Sequence, residues 1–160
     1  MAKGNLIVVS ENPRGRFAEG TITGTPKPGT VVMIDTATAL DANGRATFVP
    51  YAPGQDGIKQ GAMCVLREDY GQGKLASEAY VTGDHCYVYY PLPGDELNML
   101  LLDISGTADD HAMGELLMVN NGDGKLVAST GSPEQEPFQL LEAVTDPAAD
   151  TLAHCQFTGV

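Results

Sequence analysis

Residues 86–100 read Cys86-Tyr87-Val88-Tyr89-Tyr90-Pro91-Leu92-Pro93-Gly94-Asp95-Glu96-Leu97-Asn98-Met99-Leu100, two β-prone runs split by a proline and glycine turn. Side chains alternate across a strand, so Cys86, Val88 and Tyr90 share one face while Tyr87 and Tyr89 share the other. Both faces carry apolar or aromatic surface, and both are expected to be covered; a subunit contact at Tyr87, Tyr89 and Tyr90 is one way to cover them. Pro93-Gly94-Asp95 sets the break between the runs with residues that favour tight turns.

The same rhythm extends in both directions. Upstream runs are Leu6–Ser10, Arg16–Thr23, Thr30–Ile34, Arg45–Val49, Ala62–Leu66 and Glu78–Val81. Downstream runs are Asn98–Asp103, Glu115–Val119, Leu126–Ser129, Phe138–Val144 and Leu152–Phe157. Lys27-Pro28-Gly29, Asn43-Gly44 and Asn121-Gly122-Asp123-Gly124 punctuate them as turns. No long window keeps a helical apolar stripe free of Gly or Pro. Glu134–Ala143 is the best helical candidate, and Asp146-Pro147 would stop it. This spacing predicts an all-β chain of about eight to ten strands, forming a single small β-barrel or β-sandwich domain over residues 16–160. Gly-Lys-Leu occurs at Gly73-Lys74-Leu75 and again at Gly124-Lys125-Leu126. A turn followed by a short strand recurs by itself in all-β chains, so this pair does not establish a duplication.

The 160 residues carry 9 Lys plus Arg against 21 Asp plus Glu, a net charge of −12, which argues against binding a nucleic acid through its phosphates. Apolar runs such as Met99–Leu102 are far shorter than the roughly 20 residues that span a bilayer, so no membrane partner is expected. Leu6–Val9 is also short for a secretory leader, and synthesis in the cytoplasm is the expectation. Three cysteines without a paired spacing are expected to be buried thiols rather than a disulfide framework.

Candidate chemistry is sparse. His85-Cys86, His154-Cys155 and Cys64 could be drawn toward one metal ion. Neighbours in a strand point to opposite faces, however, so each pair offers one ligand and at most three would converge. Asp109-Asp110-His111 lies in a glycine-flanked loop without a nucleophile nearby. Asn121-x-Asp123-Gly124 lacks the leading Asp and the twelfth-position Glu of a calcium loop, and Gly71-Gln72-Gly73-Lys74 lacks the spacing of a phosphate loop. No catalytic, metal or cofactor residue is assigned, and an enzyme is not expected.

The first sixteen residues are locally basic, with Lys3, Arg14 and Arg16 against Glu11 alone. Two readings stand side by side. Residues 1–15 form an arm, mobile until it binds, in which Leu6, Ile7, Val8 and Val9 add to another protein's sheet edge while Arg14 and Arg16 supply charge pairing. Alternatively, Leu6–Val9 is the ordinary first strand of the domain.

The order of motifs resembles the tailed-bacteriophage capsid decoration, or cement, proteins. The resemblance rests on Lys27-Pro28-Gly29-Thr30-Val31-Val32, then Ala46–Ala52 before a glycine-rich loop, then Ala79-Tyr80-Val81-Thr82-Gly83-Asp84 leading into Cys86–Tyr90. It continues through Leu92–Asn98, the Gly114-x-Leu116 step, Asn121–Leu126 and Phe138–Val144, and covers most of residues 16–157. Asp109-Asp110-His111 and Ser129–Pro137 have no counterpart in it. The resemblance implies a binding role: a homo-trimer on the outer capsid surface of the virion that stabilises contacts between major capsid proteins. Two competing classes stand beside it: a small-ligand or carbohydrate-binding β-barrel, with Tyr51, Tyr70, Tyr80, Tyr87, Tyr89 and Tyr90 as its pocket or stacking surface, and, more weakly, a metal-dependent hydrolase.

Overall fold

A computed structural model describes residues 7–10, 16–52, 63–102, 110–120, 122–129, 137–145 and 150–159, with the side chains of 8–10 left aside. The described chain is nearly all β. Five strands close into a barrel: β2 (Arg16–Ile22), β3 (Val31–Ile34), β4 (Ala46–Pro50), β5 (Cys64–Leu66) and β6 (His85–Tyr90), in the ring order β2-β4-β3-β5-β6. The remaining strands are β1 (Val8–Ser10), β7 (Glu96–Leu100), β8 (Leu116–Val119), β9 (Leu126–Ala128), β10 (Phe138–Leu140) and β11 (Leu152–Phe157). They form one antiparallel sheet in the order β1-β7-β11-β10-β8-β9. That sheet curls back on itself, because Leu101, just past β7, makes a parallel bridge with Leu126 of β9.

The second ring therefore repeats the first. In both, the first strand runs parallel to the third, and every other neighbour pair is antiparallel. The register agrees around the whole circuit. Ile22 matches Leu101 at 79 residues, Ile34 matches Val119 at 85, and Phe48 matches Leu126 at 78. Leu66 matches Leu140 at 74, and Val88 matches Cys155 at 67. The turns repeat as well. Gly29 (φ 89°) donates to Leu66 O at 2.9 Å, and Gly114 (φ 90°) donates to Leu140 O at 2.7 Å. A left-handed residue is needed at this step in both rings, and glycine takes it without a Cβ penalty. Gly-Lys-Leu at 73 and 124 falls on non-equivalent positions, a turn before β6 and the turn into β9.

Alternation fills each interior. Ile22, Val32, Phe48, Cys64, Leu66, Cys86 and Val88 pack inside the first barrel, and Leu101, Leu117, Leu126, Phe138, Leu140, Ala153 and Cys155 take the equivalent inward places in the second ring. Full burial of a Phe, Ile, Leu or Val side chain stabilises by about 1.5–3 kcal/mol. Glu78–Val81, expected as a strand, is instead a loop that drops Tyr80 into the first barrel. The Tyr80 hydroxyl donates to Arg67 O at 2.8 Å and its N–H to Pro26 O at 2.9 Å, so both polar groups are satisfied. The helical option over Glu134–Ala143 is replaced by β10, which pairs with β8 and β11. Directly after β10 the strand stops: Leu141 N–H donates to His154 O at 2.8 Å, and Val144 makes an isolated bridge with His111.

The two rings are fused through one joint. Val31, Met33, Val65 and Tyr89 on the outside of the first barrel belong to the same apolar cluster as the second ring's interior and Ile7. The start of β3 is wedged into the second ring's seam: Leu100 N–H donates to Gly29 O at 3.1 Å and Val31 N–H donates to Gly124 O at 2.8 Å. In the first barrel, Thr21 and Ala46 hold the places of Leu100 and Gly124, and there β2 and β4 pair directly.

Candidate interaction surfaces

The arm residues are divided by the fold. Leu6 and Arg14 lie outside the described residues. Ile7 is fully buried, its N–H donating to the Glu68 carboxylate, and Val8 and Ser10 of β1 stand against Leu97 and Glu96 of β7 in the chain's own sheet. Val9 lies between them in β1. Arg16 opens β2 and is exposed.

The tyrosines do not form one surface. Tyr89 is fully buried, its ring 5.0 Å from that of Phe17, and its hydroxyl donates to the Asp95 carboxylate at 2.6 Å. Tyr90 turns into the first barrel, where burial pushes its hydroxyl up to about 12. Tyr87 remains half-buried on the outer face, edge-on to His85 at 4.8 Å. Cover for the tyrosine-rich strand thus comes largely from within the chain, the barrel interior on one face and the joint on the other. Tyr51 is buried at the joint, Tyr80 fills the first barrel, and Tyr70 is exposed on the short 3-10 turn Tyr70–Gln72.

Where the two rings meet, a cleft of about 390 Å³ is lined by residues that include Pro26, Lys27, Pro50, Leu100, Lys125 and Asp150. Asp150 bridges the rings: one carboxylate oxygen accepts from Lys125 Nζ at 2.6 Å and the other from Lys27 Nζ at 2.9 Å. The hydrogen bond from Lys125, then that from Lys27, hold the Asp150 carboxyl below the usual carboxylate range.

The thiols sit in cores. Burial pushes Cys64 and Cys86, both inside the first barrel, up to about 12, and Cys155 is buried in the second ring. His85 lies between Glu19 (3.5 Å) and Asp69 (3.7 Å), and His154 meets Glu96 at 3.1 Å. Among the described residues, no group of three His, Cys, Asp or Glu is placed to hold a metal ion. His111 is buried and contacts Glu115 at 3.2 Å, while Asp109 lies outside the described residues.

One surface escaped the sequence. Ile22 N–H donates to Asp84 O and Thr23 N–H to Phe48 O, so even-numbered β2 residues bond toward β6 and odd-numbered ones toward β4. The β4 pairing begins only at Gly20. There the Gly20–Ala46 pair uses the Glu19 carbonyl, which accepts from Ala46 N–H, while the Glu19 N–H and both backbone groups of Phe17 have no hydrogen-bond partner on this side among the described residues. The equivalent stretch of β7 is occupied: Asn98 N–H donates to Ile7 O at 2.7 Å and β1 pairs beside it. Phe17 is 48% exposed, and the Arg67 guanidinium lies 4.8 Å from its ring centroid with Nε buried and unpartnered. The charged residues Arg16 and Glu19 are a common device on edge strands, but a sequence does not say which strand is an edge.

No protein-family model matches the chain, and no curated protein sequence matches it significantly.

Proposed function

We propose that the protein is a structural component of a tailed-phage head. It sits as a homo-trimer on the outer surface of the mature capsid and stabilises contacts between neighbouring major capsid proteins. What carries the reading is where the motifs of the resemblance fall. Lys27–Val32 is the wedge that enters the second ring's seam. Leu92–Asn98 is the connection that carries Asp95 to Tyr89. Gly122 to Leu126 supplies the other side of the seam, with Gly122 N–H donating to Tyr51 O at 3.0 Å and Lys125 paired to Asp150. The motif-bearing segments are largely those that fuse two rings into one body, and a clamp that transmits load between neighbours needs such a body. The surplus of acid suits a protein that faces away from packaged DNA.

Cosedimentation with immature and expanded shells tests this reading, with bound copies counted by cryo-electron microscopy. Saturable, symmetry-related binding that prefers expanded shells is expected, and no binding to either shell would overturn it.

The cleft at the joint favours a second reading, a small-ligand or carbohydrate-binding module, because its volume lies within the range of ligand sites. A ligand-induced melting shift lost in Lys125→Ala would support that reading over the first.

A further inference from the structure

We infer that the open edge of β2 at Phe17–Glu19 is an acceptor for an extended acidic segment of another protein, bound antiparallel in the register that β1 takes on β7. The precedent is internal. The two rings agree in register around the whole circuit, and Phe17, Ala18 and Glu19 occupy the places of Glu96, Leu97 and Asn98. In the second ring those places hold a strand through the Asn98 N–H and a Val8–Leu97 pair. In the first, the Glu19 N–H and the backbone groups of Phe17 point the same way, and no described residue takes them.

Main-chain hydrogen bonds give such a site its affinity, and the alternate side chains give it selectivity. Opposite Ala18, which packs against the barrel interior, the guest needs an aliphatic residue, as Val8 is opposite Leu97. At the other end stand two of the chain's nine cations. Arg16 is exposed at the start of the edge, and Arg67 lies over the Phe17 ring with Nε unpartnered. A carboxylate there would meet the positive charge of both guanidinium groups, which selects an acidic guest.

The probe is a heptapeptide with this chain's own residues 5–11, Asn-Leu-Ile-Val-Val-Ser-Glu, whose middle already fits the equivalent edge and whose last residue would stand beside Arg16. Amide hydrogen exchange on the whole protein reads the result. Without peptide, the Phe17 and Glu19 amides exchange fast while those of Ala18 and Gly20, bonded to β6, exchange slowly. Saturating peptide slows the first two by about tenfold or more. Changing the peptide's Glu to Lys weakens that protection, and so does Arg16→Glu in the protein. Slow exchange at Phe17 and Glu19 in the free protein, or no slowing at saturation, would overturn the inference. Protection that rises with protein concentration alone would overturn the assigned partner in favour of a second copy. These readouts need no capsid, so they stand or fall apart from the shell-binding role.

Discussion

A Cβ built on Gly124 would stand 2.1 Å from the carbonyl oxygen of Val31, the residue whose N–H donates to Gly124 O. Two backbones from different rings therefore approach more closely than any side chain permits, at a residue with φ of 69°. Gly124→Ala is expected to destabilise by about 3 kcal/mol or more, since a backbone clash adds to left-handed strain. Gly122→Ala, with φ of 101° and no atom within 4 Å of its Cβ, should cost only about 1–2 kcal/mol. Urea unfolding of both variants checks the difference, and equal losses would mean that the close approach is not what Gly124 provides.

Asp150 joins Lys27 of one ring to Lys125 of the other. Its folded-state carboxyl titrates below the usual value, so the stability it contributes is present above pH 4 and lost as pH falls through the lowered folded value. Asp150→Asn keeps a residue that tolerates a φ of 64° while removing the charge. The expected loss is about 1 kcal/mol near pH 7, for a partly exposed pair, narrowing to nothing in strong acid. Thermal melts between pH 7 and pH 2 read this directly; a loss independent of pH would assign the effect to packing.

The strand pattern was legible because turn residues bound each run. Lys27-Pro28-Gly29, Asn43-Gly44 and Pro93-Gly94-Asp95 all fall where strands break, and the opposed faces of Cys86–Tyr90 point as alternation requires. Glu78–Val81 misled because an aromatic flanked by small residues looks the same whether it lies in a strand or plugs a barrel end. The repeat was illegible for a different reason. Equivalent positions share inward direction and apolar character, as in Phe48 with Leu126 and Val88 with Cys155, but not identity. Loops of unequal length also spread the offset from 67 to 85 residues, which no single period captures. The open edge of β2 was equally hidden, since pairing is a property of the sheet and not of Phe17 or Glu19.

Cys64 and Cys86 share the first barrel's interior, and burial raises both thiols to about 12. The thiolate is the reactive form, so native protein at pH 8 should resist iodoacetamide at both positions, and at buried Cys155 as well. In urea all three should react. Intact-mass spectrometry counts the adducts, and fast native labelling of Cys64 or Cys86 would show that the barrel opens far below the global unfolding free energy.

Tyr89 and Asp95 make the polar contact on which the connection between the rings turns. The hydroxyl donates to Asp95 Oδ2 at 2.6 Å, and the same oxygen accepts Leu92 N–H at 2.7 Å, so the carboxylate fixes both the β6 side chain and the turn into β7. Asp95 is 2% exposed and Tyr89 is fully buried, so water cannot easily replace a lost partner. Tyr89→Phe removes one oxygen and no packing, and the expected cost is about 1–3 kcal/mol because a buried carboxylate loses a donor. Asp95→Asn keeps the shape and can still accept from either donor, so it should cost less than Tyr89→Phe. The reverse ranking in urea unfolding would show that the negative charge, rather than the hydrogen bond, holds this turn.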